Sequence, residues 1–106
     1  MIIISDYIYK VLDNYSKYLV QEGLTSQTRA DEKIDLIVQA IYNNLGGMIT
    51  HRPSLYKELG KAEGCLLYVY KDPKSKTQWG FAYKLFENNN VIVYYMRNLK
   101  LVKNRE

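Results

Sequence analysis

The chain has 106 residues, 47% of them hydrophobic and 25% charged, with a formal net charge of +4. That size and balance fit one soluble globular domain spanning 1–106, and they exclude disordered, collagenous and coiled-coil architectures. One cysteine, Cys65, excludes an intramolecular disulfide, and one histidine, His51, excludes a His-rich metal centre within a single chain, so neither a metal nor another cofactor is expected.

Charge is unevenly placed. Residues 1–53 carry five Lys/Arg against six Asp/Glu, whereas residues 54–106 carry ten against five. The basic excess lies in the second half, which suits an anionic partner such as nucleic acid or an acidic protein segment. Met1 to Ile4 has no basic lead and runs into Ser5 and Asp6, unlike a secretion signal, and no apolar run is long enough to span a bilayer. A cytoplasmic protein without membrane contact is expected.

Ile2 to Ile4 is β-branched and reads as a strand. Ser5 or Asp6 can cap a helix whose apolar face is Ile8, Val11, Leu12, Tyr15, Tyr18 and Leu19, ending at Gly23. Thr25 or Ser26 can cap a second helix with the face Ala30, Ile34, Ile37, Val38, Ile41 and Leu45, stopped by Gly46-Gly47. The short connection predicts an antiparallel helical hairpin. In the following connector Met48, Ile49, Leu55, Tyr56 and Leu59 are candidate anchors, interrupted by Pro53. His51 in that connector shows no partner set for catalysis, and Cys65 precedes an apolar strand where burial is expected.

The last third reads as an antiparallel meander: Leu66 to Lys71, a turn at Asp72 to Lys76, Trp79 to Glu87, a turn at Asn88 to Asn90, and Val91 to Arg97. The order is β-α-α-β-β-β. If Lys71 opposes Trp79 and Glu87 opposes Val91, the period of two sorts the side chains. Leu67, Val69, Phe81, Tyr83, Leu85, Val91, Val93 and Tyr95 then face the helices, with Arg97 at the strand end. Leu66, Tyr68, Tyr70, Gly80, Ala82, Lys84, Ile92, Tyr94 and Met96 face away. On that outer face Gly80 and Ala82 would floor a shallow trough rimmed by Tyr68, Tyr70 and Tyr94, suited to stacking a base.

The order of elements, the length and the basic meander resemble the RelE/ParE superfamily of bacterial toxins. The residues that carry the resemblance are Ile2-Ile3-Ile4-Ser5 leading into a helix, the helical pair ending at Leu45, and the stretches Leu67-Tyr68-Val69-Tyr70, Trp79-Gly80-Phe81-Ala82-Tyr83 and Val91-Ile92-Val93-Tyr94-Tyr95. The resemblance implies an α+β fold with an N-terminal strand, a helical hairpin and a three-stranded antiparallel meander. It implies a toxin of a toxin-antitoxin system, held inactive by an antitoxin protein and acting on RNA or the ribosome, in one branch as a ribosome-dependent mRNA endonuclease. The alternative left open is a non-catalytic ParE-like protein-interaction module with a gyrase-type target. A homodimer is compatible with either. Where the nucleases of this superfamily carry alternate lysines on the first meander strand, this sequence has Tyr68 and Tyr70. These two and Arg97 are the catalytic candidates, while Lys71, Lys74, Lys76, Lys84, Tyr94, Arg97 and Lys100 are the candidates for nucleic-acid contact.

Overall fold

The computed structural model describes residues 1–45, 52–53, 65–73 and 77–99. The connector anchors, His51, Lys74, Lys76 and Lys100 lie outside them. In chain order the elements are β1 (Ile2–Ile4), α1 (Asp6–Gln21), α2 (Gln27–Leu45), β2 (Arg52–Pro53), β3 (Leu66–Lys71), β4 (Gln78–Leu85) and β5 (Val91–Asn98). The architecture is α+β, with two helices on one face of a mixed sheet of order β1-β5-β4-β3-β2. The expected meander is β3-β4-β5, paired antiparallel throughout. It is part of a larger sheet: β1 runs parallel to β5, with Ile2 opposite Val91 and Ile4 opposite Val93, and the two residues of β2 pair with β3 at the other edge.

The helix boundaries follow local chemistry. Ser5 occupies the N-cap of α1, but its hydroxyl donates to the Tyr94 carbonyl at 3.0 Å instead of capping the helix. One side chain thus pins the β1–α1 junction to β5. Gly23, at φ +67°, ends α1, with the Leu24 N–H bonded to the Leu19 carbonyl. A left-handed residue costs glycine little and lets the chain reverse. The Ser26 hydroxyl accepts the Arg29 N–H at 3.3 Å and caps α2.

The spacing of apolar residues assigns the helix faces correctly. Ile8, Leu12 and Leu19 of α1, and Ala30, Ile37, Ile41 and Leu45 of α2, are buried. Val11, Tyr15, Ile34 and Val38 are half-buried against the same core. Tyr18 departs from the expected face and stands 52% exposed. The sheet contributes Ile4, Trp79, Phe81, Tyr83, Val91, Val93 and Met96 to this core, and each larger side chain so buried contributes about 1.5–3 kcal/mol.

Leu85 rather than Glu87 opposes Val91, a shift of two residues that leaves the faces of β4 unchanged, and the sheet faces themselves differ from expectation in two places. Lys71 opposes Gln78 rather than Trp79, so Tyr70 opposes Trp79 and Tyr68 opposes Phe81. That slip of one residue turns all of β3 over: Leu66, Tyr68 and Tyr70 lie under the helices, and Leu67 and Val69 face outward. The second departure is a β-bulge. Tyr83 opposes Val93 but Ala82 opposes Tyr95, leaving Tyr94 as an extra residue. Beyond it the parity of β5 reverses, so Met96 is buried in the main core at 1% exposure and Tyr95 and Arg97 face away from the helices. The turn before β5 matches its residue chemistry, with Asn88 at φ +60°.

Phe81 is fully buried at the middle of the central strand. Phe81→Ala should destabilise the protein by about 3–5 kcal/mol, read as a lower urea midpoint at unchanged slope.

Candidate nucleic-acid interface

The face of the sheet away from the helices is built by the bulge. Because Tyr94 and Tyr95 straddle it, two consecutive tyrosines lie on this side where a regular strand would alternate them. Lys84, one strand over on β4, places its ammonium 5.7 Å from the centre of the Tyr94 ring. That is a cation–π distance, with the positive charge over the ring face. Tyr95 is stacked by Tyr7, which reaches round the sheet edge from the first turn of α1, with ring centres 5.1 Å apart and planes within 6°. β1 makes this possible because it is three residues long and leaves the second half of β5 beyond its reach.

Arg97 lies opposite Gly80, and Lys71 stands exposed at the far end of β3. Among the described strand residues on this face, every charged side chain is a cation: Lys71, Lys84 and Arg97. Of the described carboxylates in the meander, Asp72 pairs with Lys33 of α2 at 2.9 Å and Glu87 lies in the turn between β4 and β5. Below the bulge, Cys65 and Ala82 are buried in a small second cluster with Leu67, Tyr95 and Leu99 packed against it.

The expected trough is not formed. Tyr68 and Tyr70 are turned toward the helices, and the neighbours of Gly80 and Ala82 on the outer face are Val69 and Leu67 on one side and Arg97 and Tyr95 on the other. Gly80 and Ala82 are themselves buried. The base-stacking platform of Tyr68, Tyr70 and Tyr94 therefore falls, because a one-residue slip in the β3–β4 pairing carries two of its three members through the sheet.

The chemistry of those two phenols follows their new position. The Tyr68 hydroxyl accepts the Asn44 side-chain N–H at 3.1 Å and its ring tilts against Phe81. Burial pushes the Tyr68 phenol above its ordinary pKa, partly offset by the Asn44 hydrogen bond, and burial likewise raises Tyr70. A phenol that holds its proton more tightly than usual presents even less phenolate at neutral pH, and so is less available as a general base. Of the expected contact residues, the structure brings Lys84, Tyr94 and Arg97 together on one face and adds Lys71 at its end. Tyr7 and Tyr95 also belong to this surface. Neither carried a sequence signal for it, since Tyr95 depends on the bulge and Tyr7 on the short edge strand.

Among the described residues, no group of three or more His, Cys, Asp and Glu is placed to hold a metal ion, and no helix is long and apolar enough to cross a membrane. No protein-family profile matches the chain, and neither the curated proteins nor the solved structures contain a match.

Burial raises the phenols of Tyr15, Tyr68, Tyr70 and Tyr83, and the Asp72 hydrogen bond raises Lys33 against the opposing effect of burial. Each group binds its proton more tightly folded than unfolded. Their contribution to stability is therefore complete below the unfolded values of about 10, and is lost as pH rises through the folded values. Alkaline titration should show cooperative loss of circular dichroism together with a steep rise in tyrosinate absorbance. Tyr83→Phe should lose less of its own neutral-pH stability over the same range, since its buried titrating group is gone.

Proposed function

We propose that this is a RelE/ParE-like toxin-type domain that binds RNA, free or in the ribosome, through the outer face of its sheet. The observation that carries the reading is the composition of that face: three cations, no carboxylate among its described strand residues, and a tyrosine ring under one of the cations. Lys and Arg side chains on one face can meet phosphates, and an exposed aromatic ring offers a stacking surface to any base. Tyr94 is 40% exposed, enough to present its ring. The element order and the basic second half supply the further resemblance to the toxin superfamily.

The reading is one of binding rather than cleavage. Attack by a 2′-hydroxyl needs a group to take its proton, and the described outer face has neither a carboxylate nor a histidine. The catalytic candidates Tyr68 and Tyr70 lie on the other side of the sheet, and Arg97 supplies positive charge rather than a base. An antitoxin covering this surface would need acidic side chains to meet Lys84 and Arg97.

Fluorescence anisotropy with a single-stranded RNA, repeated across a salt series, tests the proposal. Three phosphate contacts predict a slope of about −2 for the logarithm of affinity against the logarithm of salt. Lys84→Glu and Arg97→Glu should each weaken binding about tenfold or more, and Tyr94→Ala by a similar factor through lost stacking. Tyr18→Ala, on the exposed side of α1, should leave affinity unchanged. Absence of binding at low salt, or indifference to the Lys84 and Arg97 changes, would sink the RNA reading. Expression that leaves growth unaffected would sink the toxin reading separately.

A further inference from the structure

A second surface lies on the helix side of the sheet, away from the proposed RNA face. Near the α1–α2 connection the helix layer and the end of the sheet part around an open cleft of about 800 Å³. That is within the size range of sites that hold small ligands. Its walls come from four places in the chain. Tyr15 and Tyr18 stand at the end of α1, Arg29 and Leu36 on α2, Tyr70 at the end of β3, and Asn98 at the end of β5. Trp79, against which Tyr15 packs edge-on at 5.0 Å, lies behind them.

The polar groups of the cleft are unequal. Lys33 lines it, but its ammonium is bound to the Asp72 carboxylate, which is 11% exposed, so that charge is answered within the protein. Arg29 lies one helical turn earlier on the same face of α2, and forms no ion pair among the described residues. The Thr25 hydroxyl lines the wall on its N-terminal side, and Glu32 lies about a turn further along, away from Thr25. A cleft walled by three tyrosine rings, with a guanidinium and a hydroxyl at one end, is complementary to a planar ring that carries a single anionic group at its end.

We infer that this cleft binds a small aromatic anion, an aromatic carboxylate or aryl phosphate, with the ring among Tyr15, Tyr18 and Tyr70 and the anionic group at Arg29 and Thr25. The Lys33–Asp72 pair ties α2 to the β3–β4 turn across the cleft and fixes the distance between its walls. Leu36, half-exposed on α2, gains cover when the ring is in place.

The test is amide-resolved NMR on the full chain with four probes: phenyl phosphate, phenylacetate, inorganic phosphate and 2-phenylethanol. Phenyl phosphate, phenylacetate or both should give saturable one-site shifts at Thr25, Arg29 and Asn98. The tighter of the two identifies the headgroup. The ring without the charge and the charge without the ring should each bind at least about tenfold more weakly. Arg29→Ala, at an exposed helical position that the fold does not depend on, should raise Kd about tenfold with an unchanged circular dichroism spectrum. Lys84→Ala on the outer face should leave it unaltered, which separates this site from the RNA surface. Four results would overturn the inference: no saturation in the millimolar range, inorganic phosphate binding as well as phenyl phosphate, unchanged affinity in Arg29→Ala, or shifts centred on Lys84 and Tyr94.

Discussion

One extra residue in β5, Tyr94, stands between the pairs Tyr83–Val93 and Ala82–Tyr95, and it sets the parity of everything that follows it in the strand. Before the bulge, Val91 and Val93 point into the core; after it, Met96 does. A regular ladder would have buried Tyr95 and Arg97 beneath the helices and exposed Met96. Burying a guanidinium there would cost several kcal/mol without a partner, whereas Met96 fills the space with apolar atoms. The bulge thus satisfies the core and the outer face together. It closes the first with a methionine and supplies the second with two tyrosines and an arginine. Its position is reinforced from outside the meander, since the Ser5 hydroxyl donates to the Tyr94 carbonyl where β1 ends and α1 begins.

The helices were legible in the sequence because their signal is redundant. Six apolar positions per helix repeat at three- and four-residue steps, and one misfit, Tyr18, leaves the other five in place. The strands were legible as strands for a similar reason, and the Asn88 turn was legible from the tolerance of asparagine for positive φ. Sheet faces have no such redundancy. The period is two, so a single residue of turn length exchanges the faces. Leu67 to Tyr70 alternates aliphatic and aromatic side chains, either set of which can be buried, and nothing local selects between them. The structure selects the tyrosines because Tyr68 finds Asn44 and Phe81, and Tyr70 lies opposite Trp79. Those are contacts with residues distant in the chain. The parallel pairing of β1 with β5 was equally invisible, since it joins residues about 90 apart.

The candidate site was half legible. Lys84, Tyr94 and Arg97 were named from the sequence, and they do share a face, although Arg97 reaches it only because of the bulge. Tyr68 and Tyr70 pack against the core instead, and that placement suits tyrosine. A lysine at either position would have to bring its ammonium out past the helix layer, whereas a phenol leaves its ring on Phe81 or beside Trp79 and needs one polar neighbour for its hydroxyl.

The abundance of tyrosine, 11 residues against two Phe and one Trp, acquires a physical meaning from this arrangement. Only Tyr83 among the described tyrosines is fully buried. Tyr15, Tyr68 and Tyr70 lie half-buried around the core, and Tyr7, Tyr94 and Tyr95 form the aromatic part of the outer face. Tyr9, Tyr18 and Tyr42 stand on the exposed sides of the helices. A two-layer domain of this size has much rim relative to core, and rim positions need side chains that cover apolar surface while leaving a polar end in water. Phenylalanine at the same places would cover the core equally well but leave the cleft and the outer face without hydroxyls. Tyrosine therefore serves packing where its ring lies against the core, and it becomes available for recognition where a cation stands over an exposed ring, as Lys84 does over Tyr94.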